Sequence, residues 1–132
     1  MLDWLRGTDY WPTLAQWQDA ILFLETSEEA PSPDWVKYTL RTLLTTGVLA
    51  CCKGILYGRP GGAIAPERFG EYDQVLRSVV AEEAGLPNLP IISNMDFGHS
   101  DPMMVLPYGV LAEIDCEARQ LKILESAVKA IG

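Results

Sequence analysis

Three short apolar runs constrain the fold of this chain more than any other feature of its sequence. They are Ala20–Leu24, Gly54–Gly58 and Leu89–Ser93. The first is unbroken by any polar residue, which is typical of a strand buried on both faces, as parallel sheets require. Helical patterns separate the runs, over Ser32–Gly47 and Pro66–Gly85. Strand, helix, strand, helix and strand in this order predict an α/β domain with a parallel βαβαβ core.

The first predicted helix has clear signals at both ends. Ser32 is placed as its N-cap, Pro33 as its first residue and Asp34 beside the positive end of the helix dipole. Gly47 ends it. An apolar stripe is predicted to pack against the sheet, and it comprises Trp35, Val36, Leu40, Leu43 and Leu44.

The pattern changes after the third strand. Val110–Ile114 and Gln120–Leu124 alternate apolar and polar residues around Glu117–Arg119, which predicts an antiparallel hairpin. The residues from Glu125 to Ile131 are expected to form a frayed helical turn. The predicted fold is therefore α/β, a parallel core followed by an antiparallel hairpin.

Composition and charge exclude several classes of partner and ligand. The 132 residues suit a single domain, and 10 Lys and Arg against 18 Asp and Glu give a formal net charge of −8. This charge repels phosphate backbones, so we expect no nucleic-acid partner. No apolar run approaches the ~20 residues that cross a bilayer, so no membrane partner is expected either. Three cysteines and one histidine cannot form a zinc site, and the odd cysteine count favours reduced thiols in the cytoplasm.

Polar residues follow each predicted strand. Glu25 comes directly after the first, Arg59 directly after the second, and His99 a short loop after the third. The carboxyl ends of parallel strands share one edge, where ligands bind in open α/β sheets. These three residues are therefore the candidate site.

The candidate chemistry is proton transfer. His99 titrates near neutral pH, and a carboxylate on one ring nitrogen would fix its tautomer, as in a serine hydrolase triad. Glu25 can supply that carboxylate, and the residue pattern leaves Asp96 and Asp101 open as competitors. No nucleophile is evident, because no serine lies in a Gly-x-Ser-x-Gly elbow. The serines are Ser27, Ser32, Ser78, Ser93, Ser100 and Ser126.

Several segments, in order, resemble one enzyme family, the C-terminal domain of the LD-carboxypeptidases. This family includes murein tetrapeptide carboxypeptidases and microcin C immunity peptidases. The most specific segment is Asn94-Met-Asp-Phe-Gly-His99-Ser-Asp-Pro102 with the following Leu106-Pro-Tyr-Gly109. The other segments are Ile21-Leu-Phe-Leu-Glu25-Thr-Ser-Glu-Glu29, Lys53-Gly-Ile-Leu-Tyr-Gly-Arg59 and Glu113-Ile-Asp115.

The resemblance implies a fold, a site and partners. It implies a small three-layer β/β/α domain of the swivelling type, with residues 1–132 forming the C-terminal domain of a larger two-domain peptidase. Glu25 and His99 would be the carboxylate and the base of a Ser-Glu-His triad, with the serine and the oxyanion hole in an N-terminal domain absent from this chain. The reaction implied is hydrolysis of an amide beside a free carboxylate, with no cofactor and no metal. Binding a peptide substrate that ends in a carboxylate needs a cation, and Arg59 is either that cation or a solvated loop arginine. Relatives suggest a homodimer.

A second hypothesis is a non-catalytic interaction or dimerisation module. The missing nucleophile favours it, since apolar surface left without a partner domain could drive association. Geometry separates the two hypotheses. Catalysis requires Glu25 on one nitrogen of His99 and an open groove at the other, whereas the module predicts a His99 that is capped or packed, with Glu25 bonded elsewhere.

Overall fold

A computed structural model describes residues 2–128. The N-terminal part has a 3-10 turn, Leu2–Leu5, and a short helix α1, Leu14–Trp17. Strand β1, Ile21–Leu24, leads to helix α2, Pro33–Thr45, and to helix α3, Val48–Cys51. Strand β2 spans Gly54–Gly58, as predicted. The remaining elements are a 3-10 turn at Pro66–Arg68, helix α4 at Phe69–Arg77, a π-helical turn at Ser78–Glu83, and strands β3 at Ile91–Met95, β4 at Ala112–Asp115 and β5 at Gln120–Ile123.

Strands β1, β2 and β3 form a parallel sheet in that order, and β4 and β5 form an antiparallel pair. This confirms the α/β class, the parallel core and the hairpin. The hairpin approaches the main sheet where Ile114 lies close to Gly54 at the start of β2. Within residues 2–128, no helix has the length and hydropathy needed to cross a membrane.

Burial corrects the prediction for β1. We expected this strand to be buried on both faces, but it lies at the edge of the parallel sheet and only Leu22 is fully buried. All five residues of β2 are buried instead, because β2 is the central strand. An unbroken apolar run thus identified a strand of the sheet correctly but not its place in it.

Helix α2 begins and ends as predicted. The Ser32 hydroxyl accepts a hydrogen bond from the Trp35 backbone N–H at 3.4 Å, and Gly47 follows the helix with φ of +80°. Val36, Leu40 and Leu43 are buried against the sheet and α4. The prediction that Trp35 belongs to the core is wrong, since it is 54% exposed. One residue along a helix turns the side chain by about 100°, so Trp35 points away from the face that Val36 buries.

The bounds of several strands shift by one or two residues from the prediction, and the C-terminal turn also differs. Strand β3 begins at Ile91 rather than Leu89, because Pro90 has no N–H to donate to the sheet. Its carbonyl still accepts from the Ile55 N–H at 2.9 Å. No helical turn forms over residues 125–128 of the predicted C-terminal turn, and the rest of that turn lies outside the described residues.

Candidate active site

The fold brings Glu25 and His99 together at the carboxyl edge of the parallel sheet. Glu25 follows the last residue of β1, and His99 lies on the loop after β3. The Nδ1 atom of His99 is 2.7 Å from Oε2 of Glu25. The backbone N–H of His99 donates to the same oxygen at 3.2 Å. Two bonds from one residue to one carboxylate oxygen fix both the imidazole and the loop that carries it.

Glycines make this approach possible. Gly98 has φ of +88°, and a Cβ at this position would lie 2.5 Å from Glu25 Oε2 and 2.7 Å from Glu25 Cβ. A Cβ on Gly58, at the end of β2, would lie 2.6 Å from the Phe97 carbonyl oxygen and 3.3 Å from Glu25 Cβ. Any larger residue at Gly98 would therefore displace the carboxylate that holds His99.

A second pair of glycines holds the turn after Glu25. Thr26 is buried, and its hydroxyl accepts from the Gly61 N–H at 3.0 Å. A Cβ on Gly62 would lie 2.5 Å from the Glu28 carbonyl oxygen, and one on Gly61 would lie 2.8 Å from the His99 carbonyl oxygen. The loops after β1, β2 and β3 are thus in direct backbone contact around the histidine.

The second nitrogen of His99 also has a carboxylate neighbour. Its Nε2 atom is 3.0 Å from Oε2 of Glu28. The Glu28 side chain is 71% exposed. The contact at Nδ1 has the geometry of a hydrogen bond, whereas the contact at Nε2 is an ion-pair distance. Two carboxylates therefore flank the ring and favour its protonated form.

The electrostatics agree with this protonation state. The hydrogen bond to Glu25 raises the pKa of His99 above its ordinary value, and the negative charges of Glu25 and then Glu28 act in the same direction. Desolvation acts in the opposite direction, by less than the effects of Glu25 and by more than that of Glu28. The imidazole is therefore held by its surroundings toward the charged form.

Arg59 and Asp96 pair with each other. The Arg59 Nε atom is 2.7 Å from Asp96 Oδ1, and its terminal NH2 group donates to the carbonyl oxygens of Asp101 at 3.3 Å and Pro102 at 3.5 Å. Of the three carboxylates that the sequence left open as partners of His99, the structure places Glu25 on the imidazole and Asp96 on Arg59. Arg59 lies beside the site without contacting His99 in these interactions, and its predicted binding of substrate stays a prediction.

Sequence reasoning missed the residues that surround the pair. Glu28 lies three residues after Glu25, on a turn closed by the Ala30 N–H and the Ser27 carbonyl oxygen at 3.1 Å. The spacing was visible, but the fold of the turn was not. The Gly61-Gly62 pair was the available signal, because consecutive glycines allow a close approach of backbones. Within residues 2–128, no three His, Cys, Asp or Glu side chains are grouped as ligands for a metal ion.

An α/β domain with a carboxylate–imidazole pair at the carboxyl edge of its parallel sheet has the form of a hydrolase domain. Comparison with known proteins gives the family. Residues 1–114 match the model of the LD-carboxypeptidase C-terminal domain, and the chain belongs to this family. The resemblance inferred from the sequence motifs is thereby confirmed.

Individual relatives agree with this assignment. The chain is 27% identical over 128 residues to a "Putative carboxypeptidase" of Treponema pallidum, covering 96% of this chain and 35% of that protein. It is 28% identical over 122 residues to a protein with the same description from Synechocystis, covering 89% of this chain and 37% of that protein. The chain thus spans about a third of the length of these curated relatives.

A solved structure shares the fold. An MccF-like protein from Streptococcus pneumoniae, crystallised in complex with AMP, superimposes with a TM-score of 0.76 at 31% identity. The match covers 92% of this chain and 33% of that one.

Proposed function

We propose that this chain supplies the Glu and His of a Ser-Glu-His triad to a serine-type carboxypeptidase. The observation that carries the proposal is the 2.7 Å contact between Glu25 Oε2 and His99 Nδ1. It leaves Nε2 as the nitrogen that exchanges protons. The nucleophilic serine and the oxyanion hole would come from a separate N-terminal domain, in keeping with the match to a C-terminal domain and with the third of each relative that the chain spans.

Each residue then has a defined task. His99 Nε2 takes the proton of the serine hydroxyl as that oxygen attacks the amide carbonyl, and it returns the proton to the leaving amine. Water then hydrolyses the acyl-enzyme by the same proton transfers. Glu25 holds Nδ1–H throughout and stabilises the imidazolium that forms at each transfer.

Glu28 must leave Nε2 before this reaction can begin. A hydroxyl that donates to Nε2 needs an unprotonated nitrogen, and the carboxylate of Glu28 occupies that position at 3.0 Å. Its side chain is largely exposed, so rotation into solvent is sterically open. We propose that docking of the nucleophile domain displaces Glu28, and that the neutral form of His99, its Nε2 proton released to solvent, then accepts the hydrogen bond of the serine hydroxyl.

The position of Glu25 supports catalysis over a purely structural module, which would have Glu25 bonded elsewhere and His99 packed or capped by backbone. Glu25 is bonded to Nδ1 of a half-exposed imidazole, while Glu28 lies at Nε2, where catalysis requires an open groove. The substrate we propose carries an amide beside a free carboxylate, in a murein tetrapeptide or a microcin C-like peptide–nucleotide. The likeness to an MccF-like protein crystallised with AMP supports the peptide–nucleotide.

The compartment we propose is the cytoplasm, in line with the odd cysteine count.

The test combines this chain with a nucleophile domain of the same family and offers both substrates. We expect hydrolysis of at least one substrate by the combination and none by the chain alone. His99→Ala should abolish the activity, while Glu29→Gln, an exposed neighbour of the site, should retain it. Activity that survives His99→Ala would overturn the triad, and cleavage of neither substrate would overturn the proposed reaction.

A further inference from the structure

Arg59 is the cationic residue whose side chain connects the end of β2 to the histidine loop, residues 96–102. We propose that Arg59 is a positioning residue for His99 and acts by tying both ends of this loop to the sheet. The inference rests on the proposed function, in which His99 is the base. It differs from the expectation that Arg59 binds the carboxylate of the substrate.

The contacts of Arg59 fall on both sides of His99 in the chain. Its Nε atom forms an ion pair with Asp96, three residues before His99, with the two atoms 2.7 Å apart but without the alignment of a hydrogen bond. Its terminal NH2 group donates to the carbonyl oxygens of Asp101 and Pro102, two and three residues after His99. Its own backbone N–H donates to the Met95 carbonyl oxygen at 2.8 Å, which anchors Arg59 to the end of β3. One guanidinium thus spans the base of the loop.

The loop needs such a tie because its centre is conformationally permissive. Gly98 precedes His99 and has φ of +88°, a conformation that restricts its neighbours little. Phe97 is buried and anchors one side of the loop. On the other side, residues 100–105 are half-buried or exposed. The Met104 N–H also donates to the Asp96 carbonyl oxygen at 2.6 Å, so the backbone closes the loop and Arg59 adds a side-chain tie within it.

A guanidinium suits this task better than an ammonium. Its planar fork can pair with a carboxylate through one nitrogen while another donates to backbone carbonyls, and it stays charged at all relevant pH values. Lysine keeps the charge but replaces the separated nitrogens of the fork by a single Nζ, so it cannot contact Asp96 and the two carbonyl oxygens with the same geometry. Arg59→Lys therefore weakens the tie without changing the charge around His99.

The first arm of the test is NMR spectroscopy of this chain. In wild type we expect a low-field proton signal on Nδ1 of His99, from its hydrogen bond to Glu25. In Arg59→Lys we expect that signal to weaken or vanish and the pKa of His99 to fall. Arg41→Lys is the matched control, because Arg41 makes a similar forked contact with Glu83 at 2.7 and 2.9 Å on the helices and should leave His99 unchanged. Asp96→Asn breaks the same ion pair from the other side and should also weaken the Nδ1 signal.

The second arm measures kinetics in the protein that carries both domains. A positioning role predicts that Arg59→Lys lowers kcat about tenfold or more, because small misplacements of a catalytic group are costly, with KM changed less than about twofold. A substrate-binding role predicts mainly a rise in KM. Unchanged His99 signals in both Arg59→Lys and Asp96→Asn, or equal changes in Arg41→Lys, would overturn the positioning role. If wild type hydrolyses neither substrate, the proposed function fails, while the NMR arm still decides the role of Arg59.

Discussion

The two edges of the His99 ring face two different kinds of carboxylate. At the Nδ1 edge, Glu25 is fixed between the end of β1 and Gly58 and Gly98, with no space for an added Cβ. At the Nε2 edge, Glu28 makes a contact of similar length, but its side chain is 71% exposed against 34% for Glu25. Two contacts of nearly equal distance therefore differ in what maintains them.

The packing of the fold maintains the Glu25 contact but not the Glu28 contact. Backbone packing fixes the carboxylate of Glu25, so its bond to Nδ1 persists when a partner approaches. Only its own rotamer and the attraction of opposite charges hold Glu28, and an exposed ion pair of this kind is weak. The Nε2 edge is the one that can exchange partners.

The largest effect should come from adding a side chain at Gly98, against the carboxylate that contacts Nδ1 of His99. Gly98→Ala puts a methyl group 2.5 Å from Glu25 Oε2 and forces an L-residue into φ of +88°. We expect the Nδ1 contact to be lost, activity of the two-domain protein to vanish, and the free energy of unfolding to fall by about 2–3 kcal/mol. Chemical denaturation and the Nδ1 proton signal are the measurements.

Gly85→Ala is the control for backbone strain. Gly85 has φ of +67° with nothing within 4 Å of its Cβ position, so the substitution should cost only about 1–2 kcal/mol and leave His99 unchanged. Equal effects of both substitutions on His99 would show that Gly98 does not act through Glu25.

The second largest effect should come from neutralising the carboxylate of Glu25. Glu25→Gln keeps the shape of the side chain but removes the charge that stabilises the imidazolium. We expect the pKa of His99 to fall and kcat to drop about a thousandfold, as expected for the carboxylate of a triad. NMR titration of the chain and kinetics of the two-domain protein measure these effects. Glu29→Gln makes the same change in net charge on an exposed neighbour and should do neither.

The pH dependence of stability should show a smaller effect. Because the folded state raises the pKa of His99, the pair stabilises the fold fully below the ordinary pKa of about 6.5 and loses this contribution as pH rises through the folded value. Denaturation midpoints measured across this range should fall further with rising pH in wild type than in His99→Asn. Parallel curves would mean that folding does not perturb His99.

The smallest effect should come from changing Glu28, at the Nε2 edge of the His99 ring. Glu28→Gln removes the weaker of the two negative charges near the imidazole, so the pKa of His99 should fall only slightly. In the two-domain protein we expect kcat to be retained and the acidic limb of the pH–rate profile to move to lower pH. Loss of activity in this variant would contradict the proposed displacement of Glu28.

Much of the fold could be predicted because its signals are local. The Ser32 cap and Gly47 defined helix α2, and the apolar run of β2 gave that strand its observed bounds. Errors arose where burial depends on neighbours distant in the chain. Nothing local distinguishes the edge strand β1 from the central strand β2. Which of Trp35 and Val36 faces the sheet depends on how helix α2 packs on it.

The candidate site was half predictable for the same reason. Residues after parallel strands meet at one edge, and this rule brought Glu25 and His99 into view. The rule does not state which of several carboxylates reaches the imidazole. Asp96 is closer to His99 in sequence, but Arg59 holds it at 2.7 Å.

The strand–helix alternation, the family and the two residue types able to move a proton could be predicted from the sequence. They depend on spacing and side-chain chemistry along the chain. The contacts of Glu25 with Nδ1, of Glu28 with Nε2 and of Arg59 with the histidine loop exist only in the folded structure. These contacts join residues 37 to 74 positions apart in the chain, and they depend on how three loops pack through their glycines.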